Sequence, residues 1–126
     1  MIYVIQILNN KFIKIGFSKY DDVSYRISEL QTGNPYEIKP VFTTFGTLIQ
    51  EKELHRSLLV AFTRIRIPIP PNEWYPGKAP MFQEFLGYLK YGPNAGMAFL
   101  DKYNQSIKQP GHGETSLYPT IRWPDK

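Results

Sequence analysis

The chain has 126 residues, of which 42% are hydrophobic and 21% charged. That length supports one domain with its own core, and the composition excludes a disordered chain. The absence of cysteine excludes disulfides and thiolate metal sites. No stretch approaches the roughly 20 apolar residues that span a bilayer, so we expect a cytoplasmic protein with no membrane partner. The formal net charge of +4 permits a polyanionic partner without requiring one.

The first sixteen residues, MIYVIQILNNKFIKIG, predict a β-hairpin. Two apolar runs are joined by Asn9 and Asn10, and Asn tolerates the positive φ of a tight two-residue turn. With that turn Tyr3 lies opposite Gly16, and Tyr3 and Lys14 become diagonal neighbours about 7–8 Å apart. Alternation puts Tyr3, Ile5, Phe12, Lys14 and Gly16 on one face, and Ile2, Val4, Ile13, Ile15 and Phe17 on a second, apolar face.

Two helices and a strand are predicted next. Residues 22–31 form a helix capped by Asp21 or Asp22, with Gly33 and Pro35 at its end. Its apolar stripe consists of Val23, Ile27 and Leu30.

Residues 37–45 predict a third strand, in which Pro40 must lie at the start or on an edge because it cannot donate to a ladder. Thr47 and Gln50 have capping-box spacing and begin a second helix over 47–61. Its expected buried stripe is Leu54, Leu58 and Ala61, with Leu48 and Phe62 at the ends.

Residues 63–75 do not fit the helical pattern, and a proline cluster in this segment favours an extended path. Trp74 is expected to be an anchor in the core. Helices follow over 79–90 and 94–106. Their inner faces are expected to contain Phe82, Phe85, Leu86 and Leu89 in the first, and Met97, Leu100 and Tyr103 in the second.

The irregular segment 109–126 is expected to pack through Tyr118 or Trp123. The surface against which this segment packs is either the core of the same chain or the second subunit of a homodimer, and the residues leave both alternatives open. The predicted fold is α+β: a small antiparallel sheet led by the hairpin, flanked by helices, with a helical C-terminal extension. We expect 1–75 to form the core and 76–126 an elaboration and tail of the same compact domain.

Several short motifs occur in a particular order. Met1-Ile2-Tyr3 followed by Lys14-Ile15-Gly16 resembles the paired motifs of the GIY-YIG nucleases, above all the short, often phage-encoded branch whose second motif begins with lysine. The match covers roughly residues 1–75. It departs from the family at Met1, where the motif has glycine, and in lacking a clear counterpart of a late asparagine. Further matches are Arg26, Leu30-Gln31-Thr32-Gly33-Asn34-Pro35, Glu51-Lys52-Glu53-Leu54-His55 and Glu73-Trp74-Tyr75.

The resemblance implies a divalent-metal-dependent endonuclease that hydrolyses DNA, with RNA left open. The tyrosine, arginine and glutamate positions of that active site correspond to Tyr3, Arg26 and Glu51, and a single Mg²⁺ or Mn²⁺ is implied. Glu51 offers the hard carboxylate that Mg²⁺ prefers, and Arg26 a planar fork for phosphate. Tyr3 is the candidate general base or water-positioning group, Lys14 its electrostatic partner, and His55 a further catalytic candidate.

The proposed pairing of Tyr3 with Lys14 can be tested against magnitudes. A phenol has an ordinary pKa near 10, so ionisation at neutral pH needs a pKa about 3 lower, or about 4 kcal/mol. One ammonium about 4 Å away contributes on the order of 4 kcal/mol at an effective dielectric of about 20, whereas burial acts the other way. Lys14 alone is therefore just sufficient, and a nearby metal ion adds to it.

Each candidate also has a plainer interpretation. Arg26 is placed to form a helix-surface ion pair with Asp22 or Glu29. His55, four residues after Glu51, either contacts the site or is a partly exposed helix residue. Glu73 is the rival metal ligand, although its neighbours favour a structural turn.

The surface charges and the function of the whole chain also have alternative interpretations. The Glu51 position is expected to be exposed. Lys11, Lys19, Arg64 and Arg66 are candidate contacts to the nucleic-acid backbone or scattered surface charge. The alternative function is a non-catalytic nucleic-acid- or partner-binding module on the same fold.

Overall fold

The structure, a computed structural model, describes residues 1–19, 22–68 and 74–106. They form the predicted α+β fold, built around a four-stranded antiparallel sheet with the strand order β3-β1-β2-β4. No helix in this part of the chain is long and apolar enough to cross a membrane. The elements in chain order are β1 (Ile2–Ile7), β2 (Phe12–Phe17), α1 (Ser24–Thr32), β3 (Lys39–Thr44), α2 (Leu48–Arg64), β4 (Trp74–Pro76), α3 (Pro80–Leu89) and α4 (Pro93–Ser106).

The hairpin register is the predicted one, with Tyr3 opposite Gly16. Asn9 and Asn10 adopt φ values of 53° and 68°, and the amide of Lys11 donates to the carbonyl of Leu8 over 3.1 Å. These are the left-handed conformations that a tight hairpin turn requires. The turn thereby determines which side chain of β1 faces which side chain of β2.

Both faces of the sheet are covered by helices. The predicted core face carries Ile2, Val4, Ile13 and Ile15, which join one apolar cluster with buried side chains of α2, α3 and α4. The opposite face carries Tyr3, Ile5 and Ile7, which are covered by Val23 at the cap of α1 and by Ile27 and Leu30 within that helix. Tyr3 is buried as a result, although its face was predicted to be the less apolar one.

Helix α1 begins two residues later than expected. Val23 occupies the cap position without a side-chain bond, while the carboxylate of Asp22 accepts from the amide of Ser24 over 2.9 Å. Hydrogen bonds from Ser24 lower the pKa of Asp22. Asp21, the other predicted cap, lies outside the described residues. The helix ends before Gly33 as predicted.

Strand β3 lies at the edge of the sheet, which accommodates Pro40 as expected. Val4 pairs with Phe42 and Ile5 with Pro40, so Val41 is the extra residue of a bulge. Proline has no backbone N–H to donate, and a position beside a bulge on an edge strand does not require one for the hydrogen bonds of the sheet.

Helix α2 starts with the predicted capping box, in which Thr47 and Gln50 bond each other's backbone amides. It continues to Arg64, three residues beyond the predicted end at 61. Leu48 is 46% exposed, so its predicted place at the end of the buried stripe is wrong. It precedes Leu54 by six residues, a rotation of about 240°, which turns it away from the core face.

Beyond α2, the extended path predicted from residue 63 is wrong at its start, because α2 includes 63 and 64. Strand β4 was not predicted, and residues 69–73 lie outside the described part of the chain. Both C-terminal helices are present, with the predicted apolar side chains facing the core. The tail expectation falls on 107–126, which are also outside the described residues.

Gln31 accounts structurally for the motif spanning 30–35. Its amide nitrogen donates to the carbonyls of Asn34 and Tyr36 over 3.2 and 3.0 Å, and its oxygen accepts from the amide of Ile38 over 2.8 Å. One side chain therefore holds the loop between α1 and β3.

We expect Gln31→Ala to lower the free energy of unfolding by about 1–3 kcal/mol, because the amide of buried Ile38 loses its acceptor. Urea denaturation measures the change. Gln105→Ala, an exposed position near the end of α4, is the matched control and should stay within about 0.5 kcal/mol of the parent. Equal effects at both positions would contradict the loop-holding role.

Candidate active site

Tyr3, Gly16 and Arg26 meet on the α1 side of the sheet. A Cβ added at Gly16 would lie 2.7 Å from Cε1 of Tyr3, and closer still to its Cζ and hydroxyl oxygen, so the phenol passes directly across the glycine. The Arg26 guanidinium donates to the Tyr3 hydroxyl, and this bond raises the pKa of Arg26 above its ordinary value. The structure thus brings two predicted catalytic residues into contact, over a position that only glycine can occupy.

Arg26 also has the surface ion pair that the plainer interpretation anticipated. Its Nη1 lies 3.3 Å from Oε1 of Glu29, and its side chain is 45% exposed. The guanidinium therefore links the buried phenol to the protein surface, where a phosphate can reach it.

Lys14 lies on the same face of the sheet as Tyr3, as the register predicts, and pairs across β2 and β4 with Trp74. Its Nζ lies 5.9 Å from the centroid of the Trp74 ring, which is within cation–π range. Trp74 is partly buried, in the cluster on the α1 side, and only partly fulfils its expected role as a core anchor. The indole helps to hold the lysine amine on this face.

On the other side of the sheet, α2 carries the predicted pair Glu51 and His55. Nε2 of His55 lies 2.7 Å from Oε2 of Glu51 and 3.0 Å from the carbonyl oxygen of Ile15. Nδ1 is hydrogen-bonded to the hydroxyl of Tyr75. The imidazole therefore joins a carboxylate of α2, the backbone of β2 and a side chain of β4, and it is partly exposed, as the plainer interpretation expected.

Glu51 is only 6% exposed, so the expectation of an exposed helix position is wrong. It occupies the core-facing position in the first turn of α2, one turn before Leu54. The start of a helix favours an anion, and the His55 bond supplies a second favourable interaction.

The Tyr3–Arg26 pair and the Glu51–His55 pair reach neighbouring residues of strand β2. His55 binds the carbonyl of Ile15, while Tyr3 crosses Gly16, the next residue. Among the described residues, β4 pairs with residues 12–14 of β2, and the imidazole reaches the carbonyl of the next residue, Ile15. Residues from three strands and two helices therefore meet around Ile15 and Gly16.

Three of the four predicted backbone-contacting residues lie away from this point. Arg64 is about 20 Å along α2 from Glu51, at about 1.5 Å per residue, and donates to the carbonyl of Asn104 over 3.0 Å. Arg66 follows the end of the same helix. Lys11 lies at the hairpin tip, with its amine 5.9 Å from the Phe12 ring centroid. Lys19, exposed just after β2, is nearest to Gly16 in the chain.

The donor set limits which metal ion the site suits. Among residues 1–19, 22–68 and 74–106, no three His, Cys, Asp or Glu side chains form a cluster able to hold a metal ion. Glu51 is the candidate carboxylate that the structure describes, next to His55, while Glu73 lies outside those residues. One hydrogen-bonded carboxylate suits Mg²⁺, which keeps several waters and takes phosphate oxygens as further ligands. It does not suit a zinc or calcium site, which requires more protein ligands.

Tyr75 was not among the predicted site residues. The sequence analysis considers Glu73 and Trp74, although alternation along an extended segment also puts Tyr75 on the face opposite Trp74.

Comparisons with protein families, with curated proteins and with solved structures find no match for this chain.

We expect Gly16→Ala to destabilise the protein by about 1–3 kcal/mol, because the new methyl group overlaps the buried Tyr3 ring. Urea denaturation measures the change. Gly33→Ala is the control, since a Cβ there meets nothing within 4 Å.

The cause is tested by a double-mutant cycle. In a Tyr3→Leu background, which shortens the side chain over Gly16, the cost of Gly16→Ala should fall well below its value in the parent. An unchanged cost would show that the ring is not the source of the clash.

Proposed function

We propose that this protein is a divalent-metal-dependent endonuclease of the GIY-YIG type that hydrolyses phosphodiester bonds of DNA. One observation carries the proposal: the Tyr3–Arg26 pair and the Glu51–His55 pair approach consecutive residues of β2 from different elements. A binding surface needs only accessible positive charge. It has no need for a buried carboxylate and a buried phenol that approach consecutive residues of one strand.

The roles follow from the chemistry of each group. Arg26 binds the phosphate with its planar fork and, because it donates to the Tyr3 hydroxyl, stabilises negative charge that develops on that oxygen. In its ionised form, Tyr3 positions the attacking water and takes one of its protons, which leaves a hydroxide to attack the phosphorus and returns Tyr3 to the neutral phenol. Lys14 adds positive charge on the same face. Burial excludes competing water from the phenol, which makes these interactions stronger than they are in bulk solvent.

Glu51 holds the single Mg²⁺ or Mn²⁺, and His55 keeps the carboxylate oriented through the Nε2 bond. When bound, the ion neutralises charge on the phosphate and on the leaving oxygen. His55 is thus a positioning residue, since it contacts Glu51, Ile15 and Tyr75.

We expect Glu51→Gln to reduce cleavage of supercoiled plasmid by at least about 100-fold in Mg²⁺, because the amide keeps the shape but not the charge that a hard cation needs. A chelator should abolish cleavage by the parent. Binding of DNA should persist, as the variant removes a negative charge. Stability should fall by about 1 kcal/mol, since Glu51 is buried and its bond to His55 loses its charge.

Glu53→Gln is the matched control, an exposed glutamate on the same helix that should cleave like the parent. If Glu51→Gln cleaves as well as the parent, the metal assignment is wrong and Glu73→Gln is the next variant. If the parent cleaves neither DNA nor RNA with any divalent ion, the protein is a binding module on this fold.

A further inference from the structure

The side chain of Tyr75 is enclosed where β4 meets α2. It is 3% exposed. Its ring stacks on the imidazole of His55, with the centroids 5.6 Å apart and the planes 13° from parallel, and also on Phe62 at 5.6 Å and 16°. The hydroxyl lies at Nδ1 of His55. A phenylalanine would fill this space equally well, so the hydroxyl has a purpose other than packing.

The partners of His55 determine its tautomer. Nε2 faces the carboxylate of Glu51 and the carbonyl of Ile15, neither of which can donate a hydrogen bond. Nε2 must therefore carry a hydrogen. With a single ring hydrogen, placed on Nε2, Nδ1 is an acceptor and the Tyr75 hydroxyl donates to it.

We infer that Tyr75 is a positioning residue of the site: its hydroxyl holds His55 in the Nε2–H form and thereby orients Glu51 to receive a divalent cation. The second half of this inference rests on the proposed function. Without the hydroxyl, Nδ1 loses this hydrogen bond, which favours exchange of the proton between the two nitrogens or rotation of the ring. Both changes remove the Nε2–H bond that holds the Glu51 carboxylate.

Tyr75→Phe tests the inference because it removes only the hydroxyl and keeps the stacked ring. Tyr88→Phe is the matched control, since this half-exposed tyrosine stacks on Phe99 with centroids 5.2 Å apart. Nitrogen NMR of the histidine rings reports the tautomer directly. We expect His55 to be in the Nε2–H form in the parent and in Tyr88→Phe, and to populate both forms in Tyr75→Phe.

Metal binding is the second readout and needs no cleavage. Titration of the protein with Mn²⁺ alone should show an affinity about 10–100-fold weaker in Tyr75→Phe and unchanged in Tyr88→Phe. The Mg²⁺ concentration for half-maximal cleavage should rise by the same factor, with a smaller change in the rate at saturating Mg²⁺. A purely structural role for Tyr75 would lower the melting temperature without changing the tautomer or the Mn²⁺ affinity.

An Nδ1–H form in the parent overturns the inference, and so does a Tyr75→Phe protein whose tautomer and Mn²⁺ affinity match those of the parent. The parent measurement uses the unaltered chain, so it decides the matter even if Tyr75→Phe does not fold. A parent that binds no Mn²⁺ overturns the proposed function and the metal-orienting half of the inference. A parent that binds Mn²⁺ and cleaves, with an unresponsive Tyr75→Phe, overturns the role of Tyr75 alone.

Discussion

The passage of the Tyr3 ring across Gly16 constrains the rest of this fold. The contact exists only in the register that places these residues opposite each other, and that register depends on the left-handed turn at Asn9 and Asn10. A slip of one residue would move every side chain of β1 to the other face relative to β2. Helix α1 then covers the phenol and carries Arg26, whose pKa is raised by its hydrogen bond to the Tyr3 hydroxyl. The turn, the glycine and the helix are therefore parts of one arrangement.

Strand β4 is the second structural condition for the site. Its residues pair with Phe12, Ile13 and Lys14, and His55 bonds the carbonyl of the next residue of β2, Ile15. The three residues of β4 serve both faces of the sheet, because alternation sends Trp74 to the Lys14 side and Tyr75 to the His55 side. A small edge strand thus supports the candidate side chains on either face of β2.

Features set by local rules were predictable from the sequence. The hairpin register, the capping box at Thr47 and the break before α4 each depend on residues within a few positions of one another. The same applies to the pairing of Glu51 and His55 along one helix. What the sequence did not predict depends on distant contacts. His55 meets Tyr75 across 20 positions and Ile15 across 40, so neither the burial of Glu51 nor the role of Tyr75 follows from spacing.

The placement of Glu51 favours a functional over a structural reason for the hydrogen bonds that join Glu51, His55 and Tyr75. A buried carboxylate loses its hydration, and one imidazole together with the start of a helix offsets only part of that loss. An apolar residue at this core-facing position, one turn before Leu54, would extend the stripe of α2 without that cost. Stability alone therefore gives no reason for a glutamate here. The proposed divalent cation at the carboxylate would supply the missing compensation, because it would provide positive charge where the site holds negative charge.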